Sequence, residues 1–402
     1  STQKLSLMIP YGHQDISEED IEAVVEVLRS DYLTQGPAVP VFEQAICDYT
    51  EAKYGVAVNS GTSALHIACL ALGLGKGDWL WTTPITFVAS ANCGLYCGAK
   101  VDFVDIDPIT WNLSAEKLEE KLKEAEREGK LPKVVVAVHL CGLSCDMEKI
   151  SNLSKQYGFS IIEDASHALG GQYQEKNIGN GQYSDISTFS FHPIKNITTG
   201  EGGMAVTNNP ELAEKMRRLR SHGITGDPAL MTHSKDGLWY YQQIELGFNY
   251  RMSDVHAALG ISQLKRLDEF IANRRSIAKR YDQALSGLSL QLPSKSKMNS
   301  DYSSSAYHLY IIRLQNSQEK NDRKTVLEAL RDKDIQAHVH YIPLHTQPYY
   351  QQFGFKEGDF PEAENYYSEA MTLPIYSAMS NAEQDTVVRE LKTELQSLGI
   401  NR

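Results

Sequence analysis

The chain has 402 residues, of which 42% are hydrophobic and 22% are charged, and its formal net charge at pH 7 is −12. This length predicts two domains, or one large α/β domain with a smaller partner, and a sizeable core. The negative charge, without a long block of Lys or Arg, argues against nucleic acid as a partner because the phosphates would be repelled. There is no run of about 18 uncharged apolar residues to span a membrane, and the first residues do not resemble a secretory signal, so we expect a cytoplasmic protein without membrane contact.

The first half of the chain predicts one helix followed by alternating strands and helices. Ser17 precedes three acidic residues and apolar side chains at helical spacing, which is typical of a capped helix. From about residue 54, short apolar runs alternate with helical patterns, which predicts a mostly parallel sheet covered by helices on both faces. The apolar runs are YGVAV, WLWTT, VDFVDI, KVVVAVHL and FSIIEDAS.

The second half predicts a smaller unit joined through a long loop and a long helix. STFSF and GGMAV are typical of a strand pair, 225–247 is rich in Gly with few periodic apolar positions, and 253–286 has the pattern of one long helix. We expect a large domain over 1–264 and a small α+β domain over 265–402. The small domain would contain a polar connection at 294–305, a helix near 322–333 and a terminal helix after Ser380.

The six cysteines include two C-x3-C pairs, Cys93 with Cys97 and Cys141 with Cys145. This spacing occurs in zinc sites, but the first pair lies in a predicted helix among apolar neighbours, where cysteine acts as a small hydrophobic residue. We therefore predict no metal.

A first candidate site follows the strand YGVAV, in the stretch NSGTSALH. Gly61, Thr62 and Ser63 would open a helix and present free backbone N–H groups and hydroxyls to an anion such as phosphate. The same residues could serve as ordinary helix caps. The dinucleotide and triphosphate fingerprints are absent, which argues against those ligands.

A second candidate site follows the strand FSIIED, where ligands of open α/β sheets bind. Asp164 could hold a ring nitrogen in its protonated form, or it could cap the next helix. His167 could pack on the same ligand or satisfy a local hydrogen bond.

A third candidate is the stretch FSFHPIKNITTGEGG, which contains Ser190 and Lys195. A lysine among apolar groups loses its proton more easily and can form a Schiff base, although most lysines are solvated at the surface. The Gly200, Gly202 and Gly203 cluster argues for a close backbone approach.

A fourth candidate is Phe87 in PITFVASAN, which could stack on a planar cofactor or simply pack in the core. A phosphate cradle, a carboxylate for a ring nitrogen, a stacking ring and a lysine amine together are what pyridoxal 5'-phosphate requires. The combination is more specific than any of its parts.

The chain resembles the DegT/DnrJ/EryC1/StrS family of nucleotide-sugar aminotransferases along almost its whole length. The motifs that carry the resemblance are NSGTSALH, TPITFVASAN, EDASHALG, FSFHPIKNITTGEGG and GFNYRMSD. The resemblance implies an α/β transferase of fold type I, with a mostly parallel central sheet, a smaller C-terminal α+β domain and active sites shared between the subunits of a homodimer.

The resemblance also implies residue roles. Lys195 would be the Schiff-base lysine, Asp164 would pair with the pyridine nitrogen, His167 would lie near the ring hydroxyl, and Phe87 would stack on the ring. Phosphate would be held by Gly61, Thr62, Ser63 and Ser190, with Asn249 from the partner subunit, and weaker candidates for substrate contact are Thr34, Gln35, Arg251 and Tyr341.

The implied reaction is transfer of an amino group, with L-glutamate as the expected donor, to the C4 ketone of a UDP-linked 4-keto-6-deoxy sugar. Some relatives carry histidine in place of the lysine and act as dehydratases, so Lys195 favours transamination. SDYLTQGP and HVHYIPLHTQPYY are most similar to family members of pseudaminic acid biosynthesis. The alternatives are another 4-keto nucleotide sugar, a lyase or desulfurase that uses a thiol such as Cys145, and a non-catalytic sugar-nucleotide binding protein.

Overall fold

The structure is a computed structural model that describes residues 8–293, 304–317, 319 and 321–400. Its centre is a seven-stranded sheet in the order β1-β9-β8-β5-β4-β2-β3. Every strand of this sheet runs in one direction except β9, which is antiparallel to both of its neighbours. The strands are β1 (Tyr54–Val58), β2 (Trp79–Thr82), β3 (Lys100–Phe103), β4 (Val134–Val138), β5 (Ser160–Asp164), β8 (Ile186–Ser190) and β9 (Gly203–Thr207), with β6 (Gln172–Tyr173) and β7 (Lys176–Asn177) forming a separate hairpin.

Helices cover both faces of the central sheet. In β4, Val134, Val136 and Val138 pack into one core, while Val135 and Ala137 pack into another, because successive side chains of a strand point to opposite faces. All five residues are buried, as predicted for a central parallel strand. The helices of this part are α1 (Glu18–Leu28), α2 (Ala38–Thr50), α3 (Gly61–Ala71), α4 (Ala89–Tyr96), α5 (Ala115–Glu128), α6 (Met147–Tyr157) and α7 (Pro210–Arg220).

The C-terminal part has its own core around the three-stranded antiparallel sheet β12-β13-β14. Tyr281, Ile312 and Leu391 are buried together there, on a helix, the central strand and the terminal helix. The predicted domain boundary at 264/265 stays a prediction. The elements are β10 (Ile224–Thr225), β11 (Gln242–Gln243), α8 (Asp254–Leu264), α9 (Leu267–Leu285), β12 (Leu290–Gln291), β13 (Tyr310–Leu314), α10 (Asp322–Asp332), α11 (Pro348–Gln351), α12 (Pro361–Glu369), β14 (Ala370–Leu373) and α13 (Asn381–Ser397), with short 3-10 turns at Leu140–Gly142, Pro228–Leu230 and Leu344–Thr346.

Two predicted helix starts are confirmed by their caps. Ser17 accepts the amide of Asp20 at 3.2 Å, and Ser380 accepts the amide of Glu383 at 3.1 Å. In both helices the acidic side chain returns a hydrogen bond to the backbone of the cap, which completes a capping box.

The single helix predicted over 253–286 is wrong, because the chain forms two helices with a break at Arg266. The Arg266 guanidinium donates to the backbone and carboxylate of Asp15 and to the carboxylate of Asp20, all from the N-terminal segment. The bend is therefore associated with a tertiary contact that helical periodicity does not encode. The polar connection predicted at 294–305 lies outside the described residues, apart from Ser304 and Ser305.

None of the helices in the described part of the chain is both long and apolar enough to cross a membrane.

Candidate active site

A cavity of about 630 Å³ opens beyond the carboxyl ends of β1, β2, β5 and β8. This is the edge where ligands of open α/β sheets bind. Residues from these strand ends meet there with residues of the C-terminal part. Its polar lining includes Ser60, Gly61, Thr62, Thr86, Ser90, Asp164, Ser166, His167, Ser190, His192, Lys195, Glu201, His308, His338, His340 and Tyr341.

One end of the cavity is formed by the start of α3. Ser60 caps the helix by accepting the amide of Ser63 at 3.0 Å, so both predicted roles, cap and anion cradle, are compatible here. Among the described residues, the amides of Gly61 and Thr62 have no hydrogen-bond partner. A β-carbon on Gly61 would lie 2.9 Å from that of Ser190, so glycine allows the two backbones to approach. Free N–H groups and a nearby hydroxyl suit a phosphate group.

The Asp164 carboxylate lies at the end of β5 and is only 6% exposed. Its Oδ2 accepts a hydrogen bond from Ser90 Oγ at 2.7 Å, and its Oδ1 accepts one from Ser166 Oγ at 2.7 Å. Because Ser90 gives its proton to Asp164, the 2.7 Å contact between Thr86 Oγ1 and Ser90 Oγ has Thr86 as the donor. The carboxylate is thus oriented by a hydroxyl chain on one side and a serine on the other.

Glu163, next to Asp164, points to the opposite face of the sheet. Its Oε1 lies 2.8 Å from His139 Nε2, and Ser187 donates to its Oε2 at 3.1 Å. Its charge is therefore used inside the protein, whereas Asp164 faces the cavity.

Lys195 lies in the turn between β8 and β9, and the turn is held by its own backbone and by Asn196. The Lys195 amide donates to the carbonyl of His192 at 2.9 Å, and Asn196 Nδ2 donates to the carbonyl of Leu169 at 2.8 Å. A β-carbon on Gly203 would overlap the backbone of Ser60, so the glycine lets β9 pass against the cradle. The glycines after the lysine therefore allow the close backbone approach that the sequence predicts.

The Lys195 amine shares the cavity with Asp164. Burial lowers the pKa of Lys195 to about 8, while the attraction of the Asp164 carboxylate acts in the opposite direction. At pH 7, a group with this pKa is unprotonated in about one molecule in ten, far more often than an ordinary lysine. Such an amine can act as a nucleophile or a base near neutral pH.

A cluster of imidazole and phenol rings covers the cavity beside Lys195. His167 Nε2 lies 3.0 Å from the hydroxyl oxygen of Tyr341, and the centre of the His167 ring is 4.5 Å from the centre of the His308 ring. Burial lowers the pKa of His340 to about 3, with smaller contributions from His338 and Lys195. Burial also lowers the pKa values of His167 and His308, so these three imidazoles are neutral polar groups rather than additional positive charges.

Phe87 lines the cavity just before α4, with 58% of its surface exposed. An aromatic side chain that is not used in the core is available to stack on a planar ligand. Its location agrees with the stacking role that the sequence predicts, which stays a prediction.

The structure brings some predicted residues to the cavity but not others. The Ser63 hydroxyl donates to Asn59 Oδ1 at 2.6 Å and does not line it. Four further residues lie outside the lining of their own chain's cavity, on a surface that we call the loop surface. The loop surface consists of Thr34, Gln35, Asn249 and Arg251. The two chain segments that carry these residues are joined by a β-bridge between Thr34 and Ser253.

Sequence reasoning missed several lining residues. Ser90 could have been found, because it follows Phe87 by three residues and lies in the first turn of α4, next to the predicted stacking residue. Tyr11 could not have been found in this way, because its place in the cavity depends on contacts with residues that are distant in sequence. Its ring centre lies 5.3 Å from those of both His338 and His340. His308 was missed for the same reason, because its ring packs against His167, which is distant in sequence. Thr86 and Ser166 could have been found, because they bond to Ser90 and Asp164 within four residues.

The cysteines do not form a site near Lys195. Cys145 is 1% exposed and its thiol donates to the carbonyl of Val138, so it lacks the mobile thiol that a desulfurase would need. Cys97 donates to the carbonyl of Cys93 within one helical turn. Within the described ranges, no group of three or more His, Cys, Asp or Glu side chains is arranged to hold a metal ion.

Comparison with known proteins gives consistent matches along the chain. Residues 14–392 match the DegT/DnrJ/EryC1/StrS aminotransferase family. A UDP-4-amino-4,6-dideoxy-N-acetyl-beta-L-altrosamine transaminase of Campylobacter jejuni is 41% identical over 374 residues, which cover 93% of this chain and 94% of the relative.

Solved structures match equally widely. Helicobacter pylori PseC, an aminotransferase involved in the biosynthesis of pseudoaminic acid, superposes with a TM-score of 0.87 and 32% identity over 97% of this chain and all of that one. Spr1654 from Streptococcus pneumoniae, in its PLP form, has a TM-score of 0.86 and 29% identity over 97% of this chain and 99% of that one.

Proposed function

The chain belongs to the DegT/DnrJ/EryC1/StrS aminotransferase family and is a sugar aminotransferase that uses pyridoxal 5'-phosphate, and from this premise we propose its substrates and the roles of its residues. The α/β fold of type I transferases predicted from the sequence is confirmed by the same structural matches. We propose that the acceptor is the C4 ketone of a UDP-linked 2-acetamido-2,6-dideoxy-4-hexulose and that the product is the 4-amino sugar.

The observation that carries the proposal is the meeting of Lys195, Asp164 and the start of α3 in one cavity. The unpartnered amides of Gly61 and Thr62, with Ser190 beside them, fit the phosphate group of the cofactor. Asp164 fits its ring nitrogen, and Phe87 fits its face. When bound, pyridoxal phosphate supplies an electrophilic aldehyde and a ring that accepts electrons.

Lys195 is the base in the proposed mechanism. Because its pKa is lowered to about 8, Nζ can accept a proton from the reacting carbon of the amino donor and return it to the acceptor side near neutral pH. Asp164, oriented by Ser90 and Ser166, would hold a proton on the ring nitrogen of the cofactor through its negative charge. Burial lowers the pKa values of His167, His308 and His340, so these imidazoles add no positive charge beside Asp164.

The choice of acceptor follows the relatives. The Campylobacter jejuni transaminase and Helicobacter pylori PseC match nearly the whole chain; the first is named for a UDP-linked 4-amino-4,6-dideoxy sugar and the second for the biosynthesis of pseudoaminic acid. We therefore propose a role in pseudaminic acid biosynthesis, with L-glutamate as the amino donor. A different 4-keto nucleotide sugar is the alternative acceptor.

We propose that two copies of the chain share their active sites. Asn249 and Arg251 do not line their own chain's cavity, and neither side chain has a hydrogen-bond or ion-pair partner among the described residues. The preceding loop exposes the large apolar side chains of Leu238, Trp239 and Leu246, an arrangement typical of a surface that a second protein covers. In a homodimer, Asn249 would reach the cofactor phosphate of the partner, and Arg251 would reach its substrate.

We place the reaction in the cytoplasm. The six cysteines are free thiols, which is typical of proteins in a reducing compartment.

The proposal is tested by incubating the purified protein with L-glutamate and a panel of 4-keto UDP-sugars, and by determining the product's stereochemistry by NMR. We expect a 4-amino-6-deoxy UDP-sugar and 2-oxoglutarate in equal amounts. Amination of a different sugar would correct the acceptor, and binding of the sugars without any amination would favour a non-catalytic binding protein.

A further inference from the structure

The His167 imidazole is held in one tautomer by the backbone of another loop. The amide of Cys141 donates a hydrogen bond to His167 Nδ1 at 3.1 Å. Cys141 has a φ of 66°, a left-handed conformation that a non-glycine residue rarely adopts. Because Nδ1 accepts a hydrogen bond, the proton of the neutral ring is on Nε2.

This tautomer determines the direction of the next hydrogen bond. His167 Nε2 lies 3.0 Å from the Tyr341 hydroxyl oxygen, and the two rings are stacked at an angle of 21°. The nitrogen must donate, so the phenol oxygen accepts and its own proton points away from His167. Among the described residues, no other group forms a hydrogen bond with the Tyr341 hydroxyl, and Tyr341 lines the cavity together with Lys195.

We propose that Tyr341 is the hydrogen-bond donor that the cavity presents to an oxygen atom of the bound ligand, and that His167 and the Cys141 amide are positioning groups that set the direction of its proton. This inference rests on the proposed function and assigns a role to a side chain that the sequence marks only as a weak substrate contact. It also revises the role of His167, whose two ring nitrogens are already occupied within the protein.

The protonation states of both groups support a fixed donor direction. Burial lowers the pKa of His167 well below its ordinary value, with a further contribution from the charge of Lys195. Burial raises the pKa of Tyr341 well above its ordinary value. Both groups therefore stay neutral near neutral pH, and the hydrogen bond between them does not reverse.

Two ligand oxygens could accept this proton: the phenolic oxygen of the cofactor and the carbonyl oxygen of the substrate. The Tyr341→Phe variant separates them. A cofactor acceptor predicts at least tenfold weaker binding of pyridoxal phosphate and a changed absorption band in the absence of sugar. A substrate acceptor predicts unchanged cofactor binding but at least a tenfold lower kcat with the keto sugar. Tyr349→Phe, at an exposed position, is the matched control.

The positioning role is tested with His167→Gln and His167→Ala. Glutamine can place an N–H group toward Tyr341, so the His167→Gln variant should keep most of the cofactor affinity or kcat that Tyr341→Phe loses. The His167→Ala variant should lose that same property. Nitrogen-15 NMR of histidine-labelled protein, assigned by the signals absent in His167→Gln, should show His167 neutral with its proton on Nε2.

The proposal is overturned if Tyr341→Phe changes cofactor affinity, absorption and both half-reactions by less than twofold, or if His167 carries its proton on Nδ1. A wild-type protein that aminates none of the sugars would refute the proposed acceptor alone, because the cofactor and amino-donor measurements require no sugar.

Discussion

The side chains around Asp164 in the cavity are held by hydrogen bonds within the chain, whereas Asn249 and Arg251 on the loop surface are not. Asp164 is 6% exposed and accepts hydrogen bonds from two serine side chains. Asn249, on the loop surface, is exposed, and neither it nor Arg251 has a side-chain partner among the described residues. This difference is the basis of the proposal that a single chain orients the groups at Asp164, while the residues of the loop surface would complete the site of a second copy.

The largest effect is expected inside the cavity. Lys195→Ala removes the base and the covalent anchor, so turnover should fall by at least about 1000-fold while pyridoxal phosphate still binds. Steady-state assays, together with borohydride reduction and peptide mapping, measure both properties. Lys176→Ala, on the exposed hairpin, is the control and should behave like wild type. Full activity in Lys195→Ala would remove the basis of the mechanism.

A subunit-mixing experiment tests whether the two regions belong to different chains. We expect both Lys195→Ala and Arg251→Ala homodimers to be nearly inactive. If the sites are shared, random reassociation in equal amounts should restore roughly one quarter of wild-type activity, because half of the dimers are mixed and each mixed dimer has one intact site. Activity that remains at the level of the separate variants would place both residues in the same site.

The orientation of Asp164 is tested by Ser90→Ala. This change removes one donor to a buried carboxylate, a bond of the kind that contributes about 1.5–3 kcal/mol. Cofactor affinity, measured by absorbance titration, should fall roughly tenfold or more, with the fold of the apoprotein retained by circular dichroism. Ser90→Thr keeps the hydroxyl and should recover much of the loss. Equal losses in both variants would show a packing effect instead.

The smallest expected effect is a pH dependence. The apoprotein must present Lys195 unprotonated to capture the cofactor, so with a pKa of about 8 the capture rate should rise about tenfold from pH 7 to pH 9 and then level off. The Asp164 charge raises this pKa, so Asp164→Asn should move the midpoint to lower pH. Stopped-flow absorbance measures the midpoint. A rate that keeps rising beyond pH 10 would indicate an ordinary solvated lysine.

The strands and the main chemical groups could be predicted because their signals are local. The VVVAV run is buried on both faces, and Lys195 lies in the glycine-rich turn where it was expected. Strand alternation also distinguishes Glu163 from Asp164, since neighbouring side chains point to opposite faces. The break at Arg266 could not be predicted, because the acidic partners of this residue come from the N-terminal segment.

The sequence by itself determined the alternation of strands and helices and singled out the candidate amine, the candidate carboxylate and the candidate phosphate turn, because periodicity and turn chemistry act over a few neighbouring residues. Only the tertiary structure decided which hydroxyls orient Asp164, which tautomer His167 adopts and where the Tyr341 proton points. The bonds from Ser90 to Asp164, from the Cys141 amide to His167 and from His167 to Tyr341 join residues 74, 26 and 174 positions apart, so their geometry exists only after distant parts of the chain have packed together.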